Sequence, residues 1–431
     1  MLFQKTTLNN GLRIITVPMP SMESAAVEVF VGAGTRDEKK EVNGLAHFLE
    51  HMVFKGTKKY PSAHAISSAV DAIGAEINAH TGKEATAFYI KAWEKHLGLA
   101  FDILSEFIKH PLLKKEEIER EKGVIKEEIA MYEDLPMRKA PSVFEELLYG
   151  PSSLGWEILG SRETVSNIGR DDFVDFRRRF YSPRNMILTV AGRFDKGRVL
   201  GMAKEAFGEL RDKANKDSDN SNNNKDNNER NSSGKPELKV VNKKTEQAHI
   251  VLGVRGNPLG HPDRYKETVL STVLGGGMSS RLWTQIRERR GLAYYVQTYI
   301  DHYTDNGYLA TRAGVKLDKV EEAVKVTLEE YQKTKKLKNI SKAELEKAKE
   351  YLKGKLALGL EDTHAVAEFF GEQELFEKEV KTPEEIMSEI DRVTVEGVLE
   401  VASKFFQKNR LNLAIVGPFE DSSRFGKLLK L

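Results

Sequence analysis

The stretch Asn43-Gly44-Leu45-Ala46-His47-Phe48-Leu49-Glu50-His51-Met52 decides how the rest of the chain is read. Leu45, Phe48, Leu49 and Met52 recur at helical spacing, Gly44 precedes the run and Lys55-Gly56 closes it, so a helix is expected over about 43–55. On that helix His47 and His51 stand at i and i+4 and leave the same face one turn apart. Two imidazole nitrogens held that way suit one zinc ion, and Glu50 is placed beside them as a candidate base.

Composition narrows the possibilities. The chain has 431 residues, enough for two domains, with 40% hydrophobic and 31% charged residues, as in a globular protein with a well-charged surface. Its 67 basic and 65 acidic side chains nearly cancel, so no global field points to nucleic acid or an anionic membrane. There is no cysteine, which excludes disulfides, thiol catalysis and cysteine-built zinc sites; any zinc must be held by His and carboxylates. No apolar stretch approaches membrane-spanning length and Met1-Leu2-Phe3-Gln4-Lys5 does not resemble a leader, so the expected compartment is the cytoplasm.

Outward from the motif, strands are expected at 12–17, 25–34, 75–81, 85–92 and 185–190, with helices at 63–73, 95–109 and 114–132. Residues 213–236 contain almost no apolar side chain and read as a disordered linker. Beyond it the pattern returns. The strand at 249–254 matches 25–34, the pair at 291–296 and 308–313 matches 74–78 and 87–92, and 411–417 matches 185–192. Each strand pair is followed by an amphipathic helix, at 95–109 and 317–332. The fold class is therefore α+β: two homologous lobes, each a mixed, mostly antiparallel sheet with helices packed on one face. The lobes are placed at 1–212 and 237–431, the first carrying the metal.

A catalytic zinc keeps three protein ligands and an open fourth position. The helix at 114–132 offers Glu116, Glu117, Glu119, Glu121, Glu127 and Glu128 as the third ligand. Val124, Ile125, Ile129 and Tyr132 mark a buried stripe, and Glu128 lies in it. Glu121 sits two turns along the same face, while Glu127 neighbours Arg120, Gly123 and Met131. A carboxylate in an apolar stripe is costly unless paired or bound to metal, which favours Glu128 as ligand and Glu121 as the partner behind the ligands.

The order His-x-x-Glu-His is the reverse of the commoner zinc-protease motif and is the inverzincin signature. With Glu128 in its segment, with Asp134-Leu135-Pro136 after the helix and with Asn78-Ala79-His80-Thr81 on a strand edge, the chain resembles the pitrilysin–insulysin–mitochondrial processing peptidase family. Gly275-Gly276-Gly277-Met278 and the segment from Arg287 to Tyr294 are similar to that family's lobe without metal. The resemblance implies a zinc endopeptidase with one zinc per chain, and Glu50 as general base for a zinc-bound water. It implies peptide substrates enclosed in a clamshell chamber, paired with the edge strand at Asn78–Thr81, with His80 as a wall of the cleft. Tyr294 is expected to bind the oxyanion and Arg287 to orient the peptide from the second lobe, as part of a homodimer; Tyr295 is the rival to Tyr294. The glycine run is expected to be a loop facing the chamber. Two alternatives stay open: a non-catalytic binding or assembly subunit, and a catalytic chain that needs a different partner to supply Arg and Tyr.

Overall fold

The computed structural model describes residues 2–211, 235–377 and 379–430; of the expected linker, 213–234 lies outside the described residues. The first sheet contains β1 (Gln4–Thr7), β2 (Arg13–Pro18), β3 (Ser24–Val31), β4 (Glu76–Thr81), β5 (Thr86–Trp93) and β6 (Met186–Gly192), in the order β1-β2-β6-β3-β5-β4. Only β2 and β6 run parallel, with Val17 opposite Ala191. The second sheet contains β7 (Glu237–Asn242), β8 (Gln247–Gly256), β9 (Ala293–His302), β10 (Gly307–Lys316) and β11 (Asn412–Gly417), in the order β7-β11-β8-β10-β9. Its single parallel pair is β7 with β11. Without β1, the two orders correspond strand for strand, including the position of the parallel pair. Two α+β lobes of one design are thus present.

The central strands are buried along nearly their whole length because both faces are covered, and apart from Glu28 and Thr189 their buried side chains are apolar. Every residue of β6 is buried, and in β3 only Ser24 is partly exposed. On one face Val27, Val29, Val31, Phe88, Ile90 and Leu188 pack with Phe101 and Phe107 of the helix Leu97–Lys109 and with Phe48, Leu49 and Met52 of the motif helix Leu45–Val53. On the other face Phe30, Ala87 and Ile187 pack against Leu375 of the helix Thr363–Phe376. Gly371 lets that helix approach closely, since a Cβ there would strike the Phe30 ring and Thr189. The second sheet repeats the arrangement. Its outer face, with Val251, Tyr308, Ala310, Ala414 and Val416, is covered by Phe144, Leu148 and Tyr149 of the helix Pro136–Tyr149.

Each outer helix therefore comes from the other half of the sequence. The compact units are residues 1–129, 156–224 and 358–382, and residues 130–155, 225–357 and 383–431. This corrects the division at 1–212 and 237–431. An open sheet has two faces, and the helices adjacent in sequence cover only one of them.

The glycine run also differs from its expected role. Gly275 is the last residue of the helix Arg264–Gly275, with Gly276 its cap, and Gly275 lies tightly against Thr298. The run ends a helix and allows a close approach. Among the described residues, no helix is long and apolar enough to cross a membrane.

Candidate metal centre

The motif helix is anchored at its start. Gly44 has φ of 98°, and a Cβ there would strike Leu159 O, so only glycine fits. The first turn's N–H groups are capped by Glu38, which is buried. Its Oε1 accepts from Ala46 N over 2.6 Å, and its Oε2 accepts from Gly44 N over 2.7 Å and Asn43 Nδ2 over 2.8 Å. A carboxylate at a helix N-terminus also opposes the helix dipole.

From this helix His47 and His51 project together, with ring centroids 4.6 Å apart. The helix Lys115–Asp134 brings Glu128 against both. Glu128 Oε2 lies 3.7 Å from His47 Nε2 and 3.6 Å from His51 Nε2. Tetrahedral zinc with bonds of about 2.1 Å places its ligand atoms about 3.4 Å apart. Glu128 therefore stands within a few tenths of an ångström of the spacing zinc requires from each histidine, and a ligand atom from each of the three lies within 4.8 Å of the other two. Two imidazoles and a carboxylate are also the right donors for it. Glu127 is exposed and does not join them.

Glu121 stands behind the ligands, 3% exposed. Its Oε1 lies 2.9 Å from His51 Nδ1 and its Oε2 2.6 Å from Lys55 Nζ. Burial pulls the Glu121 carboxyl up, but the bonds from His51 and Lys55 outweigh it and hold the group below its usual range. Ionised, it fixes the His51 proton on Nδ1 and leaves Nε2 free to face Glu128. For His51 burial pulls downward, and Glu121, Glu128 and Glu50 together raise it. His47 is pushed down to about 3 by burial and by the neighbouring His51, and so is neutral, as a ligand must be. Its buried Nδ1 has no hydrogen-bond partner among the described residues.

Glu50 lies on the same helix, and its Oε2 accepts from Thr81 Oγ1 over 2.5 Å. Burial raises its carboxyl above the usual range, with Thr81 and His51 opposing and Glu128 adding to the rise. Thr81 ends β4, the edge strand of the first sheet. On that edge Ala79 N donates to Asn78 Oδ1 over 2.9 Å. Side chains alternate along a strand, so Thr81 faces the motif helix while Asn78 and His80 face the opposite side of the sheet. His80 is therefore not a wall of the cleft holding Glu50: it meets Glu368 and Glu372 of the helix Thr363–Phe376.

Arg287 and Tyr294 lie in the second unit. Arg287 belongs to a π-helical turn, Trp283–Glu288, and its guanidinium stacks 4.2 Å from the Trp283 ring centre and 5.5 Å from that of Tyr294. Tyr294 is 74% exposed on the edge strand β9. Tyr295 points the other way, its hydroxyl 3.0 Å from His249 Nδ1 and its ring against Gly314. Tyr294 is thus the tyrosine available to a ligand.

Two features of the site escape the sequence, and a third left an unread signal. Glu38 lies in the charged run 37–40, which reads as solvated surface. Nothing local ties Thr81 to Glu50, thirty-one residues apart. Lys55 did leave a signal, one helical turn beyond His51. On the helix Lys115–Asp134 the buried positions are Ile118, Glu121, Ile125 and Ile129, whereas Val124, assigned to the buried stripe, is 48% exposed. The stripe is centred one residue away from the expected line, and Glu121 rather than Glu128 is its most enclosed carboxylate.

Comparison with known proteins agrees with this geometry. Residues 13–157 match the family model described as Insulinase (Peptidase family M16), and residues 167–352 match the Peptidase M16 inactive domain. An uncharacterised zinc protease of Streptomyces coelicolor is 36% identical over 97% of this chain and 90% of its own length. One from Bacillus subtilis is 36% identical over 97% of this chain and 98% of its own. The crystal structure of a protease from Helicobacter pylori superimposes with a TM-score of 0.90 at 25% identity, covering 97% of this chain and 99% of that one. The chain belongs to peptidase family M16, as a short, two-lobe, bacterial-type member.

Proposed function

We propose that this protein is a zinc-dependent endopeptidase that hydrolyses short or unfolded peptides. The observation that carries the reading is the convergence of His47, His51 and Glu128 beside a half-buried Glu50. The zinc-protease names of its relatives support it. A zinc ion held by those three residues supplies Lewis acidity, polarising a carbonyl and acidifying water. Glu50 accepts the water proton and returns it to the leaving amine; burial raises its carboxyl above the usual range, which makes it a stronger base than an exposed glutamate. Thr81 holds Glu50 in place, and Glu121 holds His51.

The free edge of β4 offers backbone groups to an extended peptide, which is recognition by strand addition and reads main chain more than sequence. Asn78 must release the Ala79 N–H for this to happen. By the family resemblance, Tyr294 and Arg287 contact the peptide from a second copy of the chain, which makes the working form a homodimer.

Glu50→Gln tests the reading. The variant should retain zinc, measured by atomic emission, while cleavage of a quenched peptide is lost. Retained cleavage would refute the role of Glu50. A wild-type chain that binds zinc and cleaves no peptide from a random pool would favour a binding subunit.

A further inference from the structure

A second cluster of metal-ligating side chains lies on the opposite face of β4. Glu368 and Glu372 stand at i and i+4 on the helix Thr363–Phe376, and His80 projects from β4 to meet them. A ligand atom from each falls within 4.8 Å of the other two. The plan repeats that of the first site, with two ligands one helical turn apart and a third from another element.

Nothing among the described residues satisfies these groups internally. Among the described residues no hydrogen bond or ion pair joins the three and neither glutamate is paired with Lys or Arg; Glu368 is half-buried and Glu372 is exposed. Like charges at i and i+4 on a helix repel. The repulsion is aggravated from below by Glu28, fully buried on β3. Register places Glu28 opposite Tyr89 and Tyr89 opposite Asn78, so Glu28 lies on the same sheet face as His80. Neither Glu28 oxygen has a hydrogen-bond partner among the described residues. Only His364 Nε2 approaches, at 3.4 Å, and its ring is stacked on Tyr89. The Glu28 carboxyl is pushed up to about 7, first by burial, with His364 opposing and the charges of Glu368 and Glu372 adding to the rise. Glu28 thus has only the His364 imidazole beside it in the interior, where a carboxylate is costly, while Glu368 and the exposed Glu372 meet His80 with no lysine or arginine ion pair among the described residues.

We propose that His80, Glu368 and Glu372 bind a second divalent first-row cation. One imidazole and two carboxylates are donors that zinc and manganese both accept. The ion would join β4 to a helix nearly three hundred residues distant in sequence. His80 adjoins Thr81, so the same ion would also fix the strand whose hydroxyl holds Glu50. It lies outside the first site, and its role is to position, not to catalyse.

Counting zinc in the full-length chain tests this. After stripping with chelator and equilibration with zinc, wild type should hold two equivalents by atomic emission, and E368Q/E372Q should hold one. H51A/E128Q, which disables the first site, should also hold one, and combining the four substitutions should leave none. A single equivalent in wild type, or two in E368Q/E372Q, would overturn the proposal. E368Q/E372Q preserves side-chain volume, and circular dichroism checks its fold. The outcome is independent of peptidase activity, so failure here leaves the first site untouched.

Discussion

The hydroxyl of Thr81 donates to Glu50 Oε2 over 2.5 Å, joining an edge strand to the helix that carries His47 and His51. This bond orients the carboxylate without involving His47, His51 or Glu128. Thr81→Val keeps the shape and removes the donor. It should lower kcat about 10-fold, in the range seen when partners behind an active group are removed, with zinc content unchanged. Steady-state kinetics alongside metal analysis reads both. An unaltered kcat would mean that Glu50 is held by its surroundings alone.

The carboxylates of the helix Lys115–Asp134 should separate by function. Glu128→Gln should abolish tight zinc binding, and Glu127→Gln, altering an exposed side chain, should leave it unchanged. Glu121→Gln loses the charge that fixes the His51 tautomer and should weaken zinc binding roughly 10–100-fold. Competition with a chromogenic chelator measures all three. Equal losses for Glu127 and Glu128 would contradict the geometry.

Tyr294 and Tyr295 are adjacent and have opposite fates. Tyr294→Phe should leave stability alone and, if the phenol serves the oxyanion, lower kcat by about 10²–10³. Tyr295→Phe loses the contact with His249 and should cost about 1 kcal/mol of stability while retaining activity. Melting temperatures and kinetics on the two variants distinguish them.

Asp362 caps the helix Thr363–Phe376, accepting from His364 N over 2.8 Å and Ala365 N over 3.1 Å, and pairs with Lys91 at 2.5 Å. Burial pulls its carboxyl up, but Lys91 and the capping N–H groups outweigh it and hold it below the usual value. A carboxyl with a depressed folded pKa contributes stability that is fully present above its unfolded pKa, about 3.9, and lost as pH falls through the lower folded value. Asp362→Ala should therefore destabilise by about 1 kcal/mol at pH 7, and the gap from wild type should close below about pH 4. Urea midpoints across pH give the comparison; a gap that persists at pH 2 would show that the contribution is not ionic.

Much of the fold and the centre of the site are legible in the sequence because they rest on local periodicity. His47, Glu50 and His51 share one helix, and strands such as β3 and β6 are short, mostly apolar runs rich in β-branched residues. Glu128 could be separated from Glu127 because a one-residue step on a helix turns the side chain by about 100°. The same argument misplaced Val124, since a helix of this charge has a narrow apolar line and one wrong assignment shifts it. Contacts that depend on tertiary assembly left no trace: Thr81 with Glu50, Glu38 beneath the motif helix, and Gly371 against Phe30. The least legible feature was the outer helix of each sheet, whose partner lies in the other half of the chain and whose own periodicity names no destination.

That exchange of helices has a genetic consequence. The two halves are alike enough to suggest that either could be expressed separately, yet neither carries a complete unit. A fragment ending near residue 211 would bare Phe30 and Ile187, whose burial is worth roughly 1.5–3 kcal/mol each, and would carry Phe144 and Tyr149 with nothing to cover. A gene divided at the linker would therefore encode two products that must be made together, each supplying the helix that the other lacks.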